Sequence, residues 1–120
     1  MGMVVELKTG EQILIGDCAV VNKHGQRIKL YIEGKLPILR QKDTLRQEDV
    51  GTPAEKLYFA LQNLYLSSNS RAHYESYRLA SAKLVKAVPN LRSFVEGIDK
   101  VVVSGDTYKA LKEVRTLLDA

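Results

Sequence analysis

A chain of 120 residues with 27% charged and 45% hydrophobic side chains has the balance of a solvated globular protein, too short for a large enzyme pocket. A net charge of +4 permits nucleic-acid binding without demanding it, and the single cysteine, Cys18, excludes an internal disulfide or a one-chain thiolate metal cluster. No apolar run approaches bilayer length, and Glu6 comes too early for a secretory signal, so a cytoplasmic protein with no membrane partner is expected. Met1-Gly2 is compatible with a start added ahead of a native Met3.

From Met3 to Lys42 short β-type runs alternate with turn residues. Val4-Val5 is followed by Thr9-Gly10-Glu11, then Ile13-Leu14-Ile15, Gly16-Asp17 and Ala19-Val20-Val21, with turns short enough for hairpins. After His24-Gly25-Gln26, the apolar Ile28, Leu30 and Ile32 alternate with Arg27, Lys29, Tyr31 and Glu33, the pattern of a half-buried strand with a basic outer side. Gly34-Lys35 turns the chain into Ile38-Leu39, where Pro37 marks an edge or a strand start. Cys18 reads as a small core hydrophobe and Gly10, Gly16 and Gly25 as turn glycines.

The second half reads as helices. Thr52 can cap, Pro53 suits the first helical position, and Glu55 sits where a capping-box carboxylate reaches back. Leu57, Tyr58, Leu61, Leu64 and Tyr65 form one stripe while Phe59 and Leu66 fall opposite, so this helix is expected to be sandwiched. Ser67-Ser68-Asn69-Ser70 breaks it, with Ser70 as the next cap. A second helix from Arg71 to about Val88 carries Tyr77, Ala80, Leu84 and Val88 on its apolar side and ends by Pro89. Asn90 is expected to cap a third helix with Leu91, Phe94, Val95, Ile98 and Val102 on one face; after Gly105 a last helix turns Leu111, Val114 and Leu118 inward.

The expected fold is therefore α+β: about five short antiparallel strands over residues 1–50, then about four helices over 51–120, packed as one compact unit. A sheet this small leaves edges to cover, which makes a homodimer through the sheet an expectation. His24 and His73 have no nucleophile or ligand constellation around them, so neither an enzyme nor a cofactor is expected.

Between Lys23 and Arg46 seven basic residues face two acids, a local net of +5. Arg27, Lys29, Arg40, Lys42 and Arg46 could track a phosphate backbone while Tyr31 stacks a base; the alternative is a solvated sheet face. On the last helix Tyr108, Lys112 and Arg115, spaced i, i+4, i+7, share a flank that could dock RNA or protein.

Leu39-Arg40-Gln41-Lys42-Asp43 followed by Thr52-Pro53-Ala54-Glu55-Lys56-Leu57-Tyr58-Phe59, read with Leu7-Lys8-Thr9-Gly10-Glu11 and Gly105 to Lys112, resembles the FlbT family of flagellum biosynthesis repressors over nearly the whole chain. That resemblance implies a cytoplasmic, non-enzymatic post-transcriptional regulator that binds the 5′ leader of flagellin messenger RNA and represses translation or promotes its decay. The competing implication is an interaction module that docks flagellin or its export chaperone. Residues 4–46 also resemble the carbon storage regulators, small RNA-binding β dimers; there Arg40 matches a late RNA-contacting arginine and Lys8 a basic first-strand position, while Leu7 departs from the pattern.

Overall fold

The computed structural model describes residues 2–119, and Met1 and Ala120 lie outside them. The described residues hold five strands and four α-helices, the α+β arrangement the patterning predicts. They fall into two compact units, Met1–Thr44 and Leu45–Ala120. The division comes several residues before the capped helix because Gln62 of that helix captures Leu45. Its side chain accepts from the Leu45 N–H at 2.8 Å and donates to the Leu45 carbonyl at 3.1 Å.

In the first unit, β1 (Gly2–Leu7) pairs antiparallel with β4 (Ile28–Glu33), and β2 (Gln12–Ile15) lies between β3 (Cys18–Val21) and β5 (Ile38–Arg40). Of the expected hairpins only β2–β3 forms. Gly16, at φ +58°, opens its two-residue turn with the left-handed conformation a II′ connection requires. β1 instead reaches past β2 and β3 because pairing with β4 puts Met3, Val5 and Leu7 opposite Ile32, Leu30 and Ile28 on one apolar face. That face packs on Ile13, Ile15, Val20 and Ile38 of the three-stranded sheet, burying Val5, Leu7 and Ile13 almost completely. Each such burial is worth roughly 1.5–3 kcal/mol. Cys18 is not in this core; it is exposed at the start of β3, beside the turn.

Asn22 holds the open end of this unit together. It is buried, its Nδ2 donates to the carbonyls of Leu7 and Gln26, each at 3.0 Å, and its Oδ1 accepts from the His24 N–H at 2.8 Å. Its backbone adds bonds to Gly10 and Glu11, so a buried polar residue is fully used.

In the second unit α1 (Pro53–Leu66) begins with a complete capping box between Thr52 and Glu55. α2 (Arg71–Ala87) is capped by Ser70, which also contacts His73 Nδ1 at 2.7 Å. α3 (Arg92–Val103) follows a 3-10 turn at Pro89–Leu91, and α4 (Thr107–Leu118) is capped by Asp106. Asn90 caps nothing: the turn places it one residue before the Leu91 cap position, and it stays exposed. α1 packs on α2 and α4, and α4 on α3. Leu57, Leu61, Leu64, Tyr77, Leu84, Ile98, Leu111 and Val114 are buried, whereas Val88, past the end of α2, is exposed. Between α1 and α2, Ser68 and Asn69 take left-handed conformations, and Asn69 Oδ1 accepts from Thr107 Oγ1 at 2.7 Å, tying this break to the start of α4.

Candidate nucleic-acid and partner surfaces

Strand alternation sends Lys29 and Tyr31 to the outer face of the β1–β4 sheet, and the register sets Lys29 opposite Glu6 and Tyr31 opposite Val4. Glu6 Oε2 accepts from Arg27 at 3.2 Å, while Lys29 Nζ lies 4.0 Å from Oε1. The face expected to be basic is therefore partly balanced by an acid 21 residues from Arg27 in sequence. Tyr31 is 64% exposed and Val4 55%, leaving an aromatic and an aliphatic side chain paired in solvent.

Arg40 ends β5 opposite Ile13, and Lys42 follows in a 3-10 turn at Gln41–Asp43. Two side-chain bonds brace that turn: Gln41 Oε1 accepts from the Gln12 N–H at 2.8 Å, and Thr44 Oγ1 donates to the Arg40 carbonyl at 2.9 Å. Arg40 and Lys42 border a shallow cavity of about 130 Å³ together with Glu6 and Glu11. Both acids are engaged elsewhere, Glu6 with Arg27 and Lys29 and Glu11 by accepting from the Lys8 N–H at 2.8 Å. Among the described residues, Lys8, Arg40 and Lys42 have no carboxylate within ion-pair distance.

Arg46 belongs to the other unit and is paired with Glu48 at 3.5 Å and Asp49 at 3.3 Å. The local excess of +5 is thus smaller in space than along the chain. Residues 1–44 carry seven basic and five acidic side chains, a net of +2, and residues 45–120 carry eleven and nine, again +2.

On α4, Tyr108 stacks against Tyr65 of α1 with ring centroids 5.5 Å apart, and Lys112 Nζ sits 5.4 Å from the Tyr108 ring centre. Arg115 leaves this group. Its guanidinium lies 5.6 Å from the buried Tyr58 ring, and its Nε is 3.5 Å from Asp119. The flank therefore presents Tyr65, Tyr108 and Lys112, with Arg115 turned to a structural task. No helix of the structure is long and apolar enough to cross a membrane. Among the described residues no three His, Cys, Asp or Glu side chains gather as a metal-ligand set.

The family model described as flagellar protein FlbT matches residues 3–120. The chain belongs to the FlbT family. A protein of Rhodopseudomonas palustris named probable flagellum biosynthesis repressor protein FlbT is 37% identical over 118 residues, spanning 98% of this chain and 93% of that one. The FlbT 1 protein of Bradyrhizobium diazoefficiens is 37% identical over 119 residues, covering 98% and 81%. The flagellum biosynthesis repressor protein FlbT of Caulobacter vibrioides is 30% identical over 123 residues, covering 99% and 86%. No solved structure matches the chain.

Sequence reasoning passed over two members of these surfaces. Glu6 lies outside the basic stretch and meets it only through β1–β4 pairing. Tyr65 sits in the apolar stripe of its helix, and nothing local distinguishes it from a core tyrosine until α4 lies beside it.

Proposed function

We propose that this FlbT-family chain is a post-transcriptional regulator of flagellin synthesis that binds the 5′ leader of flagellin messenger RNA. Arg40 and Lys42 are the principal phosphate contacts, Lys8, Arg27 and Lys29 flank them, and Tyr31 stacks a base. The observation that carries this reading is the pair Arg40 and Lys42, exposed, held on a hydrogen-bonded turn and free of carboxylate partners among the described residues. The names of the relatives support the regulatory part of it. Arg46, neutralised by Glu48 and Asp49, has a minor part. Protein bound to the leader in this way would repress translation or promote decay of the message.

The test is binding of purified protein to a flagellin leader RNA across a salt series. With Arg27 and Lys29 held by Glu6, the three phosphate contacts of Lys8, Arg40 and Lys42 to a single strand give a slope of about −2 in log affinity against log salt. The Arg40→Ala, Lys42→Ala double variant should bind about tenfold more weakly and with a shallower slope. Unchanged affinity in a folded double variant overturns the RNA reading.

The second reading is an interaction module for flagellin or its export chaperone, and the Tyr65, Tyr108 and Lys112 group favours it. Tyrosine offers a large, stiff contact surface at small entropic cost.

A further inference from the structure

The second unit contains a cleft that neither reading uses. α2 and α3 run back from the Pro89–Leu91 turn and meet chiefly around it, so that a space of about 780 Å³ opens between them. Its floor is largely apolar, formed by Ala82 and Val85 of α2 and Val95 of α3 with the buried hydroxyl of Ser81 beside them, and Pro89 closes one end. At its base Tyr77 is fully buried and donates its hydroxyl to Asp99 Oδ1 at 3.1 Å, bridging the two helices.

Four cations rim this floor. Arg78 and Lys86 lie on the α2 wall and Arg92 and Lys100 on the α3 wall. Each pair is separated by eight residues, which on a helix is about 12 Å. Because the helices are joined by a short turn, Lys86 and Arg92 stand at the closed end and Arg78 and Lys100 at the open end. Among the described residues none of the four has a carboxylate within ion-pair distance. Of the two acids on the lining, Glu96 and Asp99, the second is engaged by Tyr77.

We infer that this cleft docks an acidic amphipathic helix of a protein partner, its apolar side on Ala82, Val85 and Val95 and its carboxylates two turns apart against the cations. Two pairs of cations spaced by about two helical turns, with Glu96 between the pair on α3, leave the lining net positive and match that occupant through helix-in-groove recognition. A small anion would reach only one end of the cleft. An RNA would lack an aromatic face to stack on, since the one aromatic side chain of the lining, Tyr77, is buried with its hydroxyl in use.

The experiment uses the full chain and a synthetic helical peptide of about four turns, apolar on one face and carrying Glu at two-turn spacing on both flanks. Matched peptides carry Gln or Lys at those positions. The Glu peptide should bind, the Gln peptide about tenfold more weakly and the Lys peptide more weakly still, with amide shifts in Arg78 to Lys86 and Arg92 to Lys100. The Arg78→Glu, Arg92→Glu variant should reverse the preference toward the Lys peptide. Ala82→Trp, a change at an exposed helix position that fills the cleft, should abolish binding while circular dichroism stays that of the parent. Absence of binding by the Glu peptide, equal affinity for all three peptides, or binding unaffected by Ala82→Trp would each overturn the inference. Loss of leader-RNA affinity in the Arg78→Glu, Arg92→Glu variant would give the cleft to nucleic acid instead.

Discussion

Glu6 Oε2 lies 3.2 Å from Arg27 Nη1, so a carboxylate on β1 neutralises part of the only strand face that looks basic in sequence. The pair is half exposed and contributes about 0–1 kcal/mol to stability. Its effect is on the field that a phosphate would meet. Glu6→Gln frees Arg27 and Lys29 and should steepen the salt slope of leader-RNA binding by about 1, with melting behaviour close to the parent. A slope that stays constant would remove both residues from the RNA surface.

Tyr108 has two tasks that can be separated. Its stacking on Tyr65 is worth about 1 kcal/mol of stability, so Tyr108→Ala should lower the urea midpoint modestly. If the flank docks flagellin, the same change should cost about 2 kcal/mol or more in flagellin binding, as hot-spot truncations do, and leave leader-RNA affinity near the parent value. RNA binding lost with flagellin binding kept would move α4 into the RNA surface.

Two buried amides should matter more to stability than any exposed ion pair. Asn22→Ala strips partners from the Leu7 and Gln26 carbonyls, and Gln62→Leu strips them from both backbone groups of Leu45. Each should cost about 1–3 kcal/mol in urea unfolding. A change below a few tenths in either would mean that water satisfies the freed groups.

The capping box makes α1 sensitive to acid. Glu55 accepts from the Thr52 N–H at 2.9 Å and the Gly51 N–H at 3.0 Å, and these bonds, Thr52 first, hold its carboxyl below the usual carboxylate range. A carboxyl with a lower value folded than unfolded contributes stability at every pH above its unfolded value and loses it as pH falls through the folded one. The advantage of the parent over Glu55→Gln should therefore be full at neutral pH and shrink below the ordinary glutamate range. An advantage that grows in acid would contradict the assignment.

The unpaired edges of the two-stranded β1–β4 sheet offer a place for self-association that leaves Tyr31 to the RNA surface. Val4 is exposed, and β1 and β4 each pair with one strand alone among the described residues. Light scattering at micromolar concentration should give a dimer that Val4→Lys returns to monomer. A parent protein that is monomeric under those conditions would rule this contact out.

Features written in neighbouring residues were legible in advance. Thr52, Pro53 and Glu55 set the start of α1, the alternation from Ile28 to Glu33 set β4, and the serines around Asn69 set the break before α2, because capping and periodicity act within a few residues. Exposure of Cys18 and Val88 was not legible, since each sits at an element end where the periodic pattern no longer says which side is covered.

The chain alone therefore determined the α+β class, the order of the elements and the identity of the basic and aromatic candidates. The tertiary structure decided which of them remain available. Pairing of β1 with β4 brought Glu6 to Arg27 and Lys29, packing of α4 turned Arg115 toward Tyr58 and Asp119, and the splay of α2 from α3 left four cations around an apolar floor. Charge and exposure at a surface depend on neighbours remote in sequence. Those neighbours are selected by burial of the whole apolar face, a sum over many contacts that no local pattern contains.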